Sequence, residues 1–205
     1  MMKPYQQLAE SVKFSRSLNW TRLLEKDDSL EFIGAGRSAF AFRIKETNLV
    51  LKVFFPEFKR TAREEAEIYR ALPDHPYYPS LYGSGDNYIV IDYVQGLTLF
   101  ECLAKGVPIE EEKIKQIDEA LKLARERGLN PSDIHLRNII LTEDGHIKII
   151  DVARFKQTKN CTQWDDLKHA FYKFYRKRYF PKKIPVLIMN TIAALYKKRI
   201  VRMGS

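Results

Sequence analysis

The chain has 205 residues, 45% of them hydrophobic, which is enough to bury one core or two small ones and too apolar for a disordered chain. Its net charge of +9 is uneven: the stretch from Leu167 to Ser205 holds 11 Lys/Arg and no Asp/Glu, a pattern that excludes a uniformly mixed surface and points to an acidic partner. Cys102 and Cys161 form neither a C-x-x-C pair nor part of a Cys/His cluster, so they are expected to be reduced thiols, and a structural zinc site is not expected.

The N-terminus, M-M-K-P-Y-Q-Q-L-A-E-S-V, lacks an apolar signal-peptide core, and a cytoplasmic location is expected. Leu8, Val12, Leu23 and Leu24 predict an amphipathic helical extension, with residues 1–26 set apart from the rest of the chain. Residues 29–44 then read as strands on both sides of G-A-G-R-S-A (34–39), and Gly34 and Gly36 allow a tight turn whose backbone can come close to a phosphate. T-N-L-V-L-K-V-F-F (47–55) is a strand with Lys52 inside its apolar alternation, where a lysine is costly unless paired. A carboxylate is available on the next element. In T-A-R-E-E-A-E-I-Y-R-A-L (61–72), Ala62, Glu65, Tyr69 and Leu72 share a helical face, so Glu65 points inward and Glu64 and Glu67 toward solvent.

A proline-broken loop (73–80) leads to N-Y-I-V-I-D-Y-V-Q-G (87–96), a buried strand ending at a glycine. From Gly96 the chain is expected to be mainly helical, with a long amphipathic helix over 108–128 closed by Gly128. That helix delivers P-S-D-I-H-L-R-N-I-I-L (131–141) and G-H-I-K-I-I-D (145–151), which place Asp133, Asn138 and Asp151 around a β-rich run. Phosphoryl transfer needs an acceptor for a substrate hydroxyl proton and hard oxygen ligands for magnesium, and these three residues supply both.

The glycine turn, the strand lysine, the helix glutamate and the D-x-x-x-x-N run ahead of a strand-end aspartate together resemble the protein kinase-like superfamily, over roughly residues 30–170. Within it the chain is similar to the small bacterial serine/threonine-protein kinases. The resemblance implies an α+β, two-lobed fold with a reduced C-lobe: an N-lobe over 27–91, a hinge at 92–96, and a helical C-lobe over 97–205. It implies ATP and Mg2+ as ligands. Ile33, Gly34, Ala35, Gly36, Arg37, Ser38, Ala39, Phe40 and Ala41 would cover the nucleotide, and Lys52, paired with Glu65, would hold its phosphates. The backbones of Asp92 and Val94 would face adenine, behind a gatekeeper at Ile91. Asp133 would be the catalytic carboxylate, with Asn138 and Asp151 as the magnesium ligands.

The chain also departs from the family pattern. Ser132 stands where H-R-D has its arginine, the residue that reads an activation-loop phosphate, so control by that route is not expected. His135 replaces a lysine, Asp151-Val152-Ala153 replaces D-F-G, and no A-P-E follows. Only 13 residues (152–164) stand between Asp151 and Asp165, which implies a short activation segment. Asp166 either holds the catalytic loop or belongs to an N-cap pair with Asp165. The resulting expectation is transfer of the ATP γ-phosphoryl group to a hydroxyl, foremost serine or threonine of a protein. The alternatives are a sugar or lipid kinase, favoured by His135, and a nucleotide-binding pseudokinase. The basic tail contains I-P-V-L-I-M-N-T-I-A-A-L-Y (184–196), too short to span a bilayer. It is expected either to pack as a helix with a basic exposed face or to dock on an acidic partner, an anionic membrane surface or RNA.

Overall fold

The computed structural model describes residues 3–17, 21–72 and 76–197. The chain divides into two compact units, residues 1–94 and 95–205.

The first unit begins with a short helix, α1 (Tyr5–Ser11), and a hairpin of β1 (Lys13–Arg16) and β2 (Thr21–Glu25). A five-stranded antiparallel sheet comes next, built from β3 (Leu30–Ala35), β4 (Ala39–Ile44), β5 (Leu49–Phe54), β6 (Leu81–Ser84) and β7 (Tyr88–Asp92) in the order β3-β4-β5-β7-β6. Strand alternation gives the sheet two chemically different faces. Phe40, Phe42, Ile44, Leu51, Val53 and Val90 line one face and form a single cluster with Leu8, Ala9 and Val12 from the α1 region. The other face carries Ala41, Lys52 and Ile89 in one cross-strand row. Helix α2 (Lys59–Ala71) covers this second face with Ala62, Glu65, Ala66, Ile68 and Tyr69, all buried.

The expected helical extension over residues 1–26 is corrected: among its described residues only Tyr5–Ser11 is helical, and Val12 is already extended (φ −78°, ψ 109°). The cause is tertiary. Phe14 packs edge-on or tilted against Phe40 (6.1 Å between ring centroids) and Phe55 (5.1 Å), and an extended chain brings it there while pairing with β2.

The second unit holds a small antiparallel sheet of β8 (Gly96–Thr98), β9 (Ile139–Thr142) and β10 (Ile147–Ile149), in the order β10-β9-β8. Gly96 is required here: its φ is +154°, and a Cβ would lie 2.2 Å from the Leu141 carbonyl oxygen. Helix α3 (Leu99–Lys105) starts at a capping box formed by Thr98 and Glu101. Helix α4 (Glu111–Glu126) buries Ile114, Ile117, Leu121 and Ala124 along one stripe, and Gly128 turns the chain away at φ +74°. Helix α5 (Gln163–Ala170) runs into a π-helical turn whose Tyr175 hydroxyl accepts the Ile109 N–H at 3.0 Å.

The apolar run of the tail forms α6 (Val186–Lys197). Met189 is buried, and the Asn190 side-chain oxygen accepts from Arg137 at 3.0 Å. Leu187 is 78% exposed, and Val186, Ile188 and Ile192 are also exposed beside Asn190 and Thr191, while Lys198 and Arg199, part of the expected basic face, lie outside the described residues.

Core and tail therefore respond differently to substitution. Phe42→Ala removes a fully buried ring and should lower the unfolding free energy by about 3–5 kcal/mol. Leu187→Ser should change it by no more than about 0.5 kcal/mol, as at other exposed positions. Urea melts of the two variants check this, and comparable losses would place Leu187 in the core.

Candidate active site

In the first unit, β5 turns Lys52 toward α2, where Glu65 is wholly buried. The Lys52 ammonium lies 2.9 Å from Glu65 Oε1 and 2.8 Å from Oε2, and 5.1 Å from the centre of the Phe54 ring. Glu64 instead pairs with Arg60 on the outer surface, and Glu67 is exposed. A cation facing both carboxylate oxygens is how a charged group is tolerated at zero exposure.

The β3–β4 hairpin carries the glycine turn, closed by the Gly36 N–H donating to the Ala39 carbonyl at 2.9 Å. A Cβ at Gly34 would meet no atom within 4 Å, and at Gly36 only the Ala39 oxygen at 3.6 Å. Ile33, Ala35 and Arg37 are exposed, while Ser38 is half-buried with its carbonyl accepting from Phe55 N–H at 2.9 Å. Ala39 and Phe40 are buried, and the Phe40 ring belongs to the core cluster on the sheet face opposite Lys52. Phe40 therefore has only its backbone to offer a ligand. Ala41 sits directly across from Lys52. At the end of β7, Asp92 is heavily engaged: its N–H donates to the Ser80 carbonyl (3.2 Å), and its carboxylate accepts from Ser80 N–H (2.7 Å) and the Tyr82 hydroxyl (2.9 Å). Contact with a ligand would fall to its carbonyl. Ile91 is buried just before it, and Val94 ends the unit half-buried.

In the second unit, two hydrogen bonds through Asn138 link the turn of Asp133 to the residue before Asp151. The Asn138 side-chain amide donates to the Asp133 carbonyl at 3.3 Å, and the Ile150 N–H donates to the Asn138 carbonyl at 2.8 Å. Asn138 thus fixes the turn carrying Asp133 and also the residue before Asp151. The Asn138 amide oxygen could ligate a cation. Asp133 and Asp151 both adopt left-handed backbone conformations, each at φ 62°. Such residues cost on the order of 1–3 kcal/mol and cluster at functional sites, with Asp among the more tolerant side chains.

Sequence reasoning missed three partners of this loop. Arg154 Nε lies 3.2 Å from Asp133 Oδ2, an ion pair between groups separated by 21 positions, with no periodic signal to announce it. Asn130 donates its side-chain amide to the carbonyls of Gln157 (2.8 Å) and Lys159 (3.1 Å), and its N–H to Phe155 (2.7 Å), so the segment after Asp151 is tied to the loop. Ser132, buried in the arginine's place, donates to the Asn130 carbonyl at 3.0 Å. Asp166 accepts from Thr162 (3.3 Å) and from the Tyr196 hydroxyl on α6, two partners that lie outside the catalytic-loop residues. Among the described residues no three His, Cys, Asp or Glu gather as a metal cage. The oxygen pair of Asn138 and Asp151 suits a cation that takes its remaining ligands from water and phosphate, as magnesium does.

Two stability measurements test this geometry. Lys52→Met leaves the Glu65 carboxylate buried without the Lys52 cation and should cost about 3–5 kcal/mol, most of which Lys52→Met with Glu65→Leu should restore. If the double variant were no more stable than the single one in urea, the ion pair would not govern the site. At Asp133 and Asp151 the usual order of Ala over Gly should invert, with each Gly variant about 1 kcal/mol more stable than its Ala counterpart. Thermal melts of the four variants decide it, and Ala above Gly at both positions would contradict the left-handed assignment.

No protein-family model matches the chain. A Bacillus subtilis protein named "Putative serine/threonine-protein kinase YrzF" is 49% identical over 200 residues, covering 97% of this chain and 93% of that one. A Clostridium acetobutylicum protein named as a probable serine/threonine-protein kinase is 34% identical over 150 residues, and the serine/threonine-protein kinase PrkC of Bacillus subtilis is 34% identical over 103. These two matches cover 64% and 46% of this chain but only 23% and 16% of the longer relatives. With a full-length relative at this identity, and with a lysine–glutamate sheet unit followed by a helical unit carrying the D-x-x-x-x-N loop, the chain belongs to the protein kinase-like superfamily and has its reduced, two-lobed α+β fold.

Proposed function

We propose that the chain is a cytoplasmic serine/threonine-protein kinase that transfers the γ-phosphoryl group of ATP to a protein hydroxyl. The observation that carries this reading is the Asn138-centred network, which holds Asp133 and Asp151 in strained left-handed conformations on one hydrogen-bonded frame. Glu46 adopts the same conformation in the β4–β5 turn (φ 61°), so the support comes from two such carboxylates carried on one hydrogen-bonded frame rather than from the conformation alone.

The open space above Gly34 supports a role for the hairpin as a phosphate cradle. Gly34 sits at a register shift in the β3–β4 pairing with nothing within 4 Å of its missing side chain, which leaves the hairpin backbone open to close approach by a ligand. Lys52, oriented by Glu65, would balance the charge of the nucleotide phosphates, and Asp92 and Val94 would offer backbone groups to the base. Asp133 would accept the proton of the attacking hydroxyl and orient it, while Arg154 restrains that carboxylate. Asn138 and Asp151 would hold Mg2+. The bound magnesium would neutralise charge on the phosphates as the bond to the leaving group breaks. His135 favours one second reading, a small-molecule hydroxyl as acceptor, because a lysine that fits a protein-kinase catalytic loop is missing there.

Asp133→Asn should lower ADP formation with a generic protein acceptor by at least ~100-fold, the usual contribution of an orienting general base. Asp151→Asn should instead raise the magnesium concentration needed for nucleotide binding, with Lys52→Met changing that requirement less. A wild-type rate in Asp133→Asn, or an unchanged magnesium titration in Asp151→Asn, would remove that residue from its role.

A further inference from the structure

Helix α6 has an unusual composition for an exposed element. A strongly apolar helix is normally buried, yet α6 presents Leu187, Ile188 and Ile192 to solvent while only Met189 is buried among its residues 186–194. The helix is not loosely attached. The Ile184 N–H donates to the Leu103 carbonyl at 2.8 Å ahead of it, and the Tyr196 hydroxyl donates to Asp166 near its end. Burial, then the contact with Asp166, pushes the Tyr196 phenol up to about 12, so it stays protonated and remains a donor at physiological pH. The apolar row is therefore presented by a pinned helix.

The approach to α6 adds the second half of the pattern. Lys177, Arg178 and Lys183 are exposed, and Tyr179 is 84% exposed among them. No acidic residue lies anywhere between Leu167 and Ser205. Exposed aliphatic side chains, an exposed tyrosine and exposed cations are what an anionic lipid surface recognises. A second copy of the chain fits this surface poorly, because it would bring the same cations to a self-complementary contact. RNA would engage the cations but would gain nothing from Leu187 and Ile188, since phosphate contacts dominate its affinity. No helix among the described residues is long and apolar enough to cross a membrane, so the contact is one of surface attachment.

We propose that the exposed apolar row of α6, with Lys177, Arg178 and Lys183, docks the protein on anionic phospholipid. The contact does not depend on the phosphoryl-transfer reading and places the protein at the surface where acidic lipid is exposed.

The test is flotation of the full chain with vesicles of phosphatidylcholine alone and of phosphatidylcholine with phosphatidylserine, and in parallel with a structured RNA. Wild type should float with the acidic vesicles and not with the neutral ones. Leu187→Ser with Ile188→Ser should weaken flotation at least ~10-fold without changing the melting temperature, because both side chains are exposed. Lys177→Glu, Arg178→Glu and Lys183→Glu should each weaken it about fivefold, and the effect should shrink as salt rises. Equal flotation with neutral vesicles, or flotation indifferent to the Leu187 and Ile188 changes, would overturn the proposal. So would RNA binding without vesicle binding, or self-association in light scattering that the same double variant abolishes.

Discussion

The first unit depends on one electrostatic constraint, the Glu65 carboxylate held at zero exposure by the Lys52 ammonium. Strand alternation decides that Lys52 faces away from the Phe40–Phe42 cluster, and the helical face of α2 decides that Glu65 meets it. Removing two charges from water costs several kcal/mol per ion, and an apolar pair of similar volume would serve stability as well or better. The ion pair is therefore weak as an explanation of the fold and strong as a signature of chemistry. It fixes the position of Lys52 beside a buried carboxylate.

The second unit applies a comparable logic to the backbone. Two aspartates adopt conformations that L-residues disfavour, and the Asn138 amide and carbonyl link the turn at Asp133 to the strand end before Asp151. Under the proposed function, strain of about 1–3 kcal/mol would be offset by pre-oriented groups, since each 1.4 kcal/mol off a barrier is about tenfold in rate. The segment after Asp151 is tied to the loop by Asn130, whose side-chain amide donates to the carbonyls of Gln157 and Lys159.

Much of this was legible in the sequence because it rests on local period and spacing. The inward register of Glu65 came from Ala62, Tyr69 and Leu72, the closing of α4 from Gly128, and the Asp133–Asn138 turn from a fixed five-residue separation. What was not legible depends on distant contacts. Residues 13–25 have a pattern compatible with a helix, but Phe14 is drawn into an aromatic cluster on the sheet and the chain extends to reach it. The Arg154–Asp133 pair and the tie from Tyr196 to Asp166 join residues with no sequence periodicity between them. Helix α6 misled for a different reason. An apolar run is ordinarily a sign of burial, and here the apolar residues remain on the surface.

If this frame transfers the ATP γ-phosphoryl group to a hydroxyl, the most direct measurement is a mass map of the products after incubation with Mg2+ and ATP. One phosphoryl mass should be added to serine or threonine of the chain itself or of a supplied acceptor protein, with matching ADP. Nucleotide bound but not consumed, with no phosphoryl group on any hydroxyl supplied, would contradict the transfer.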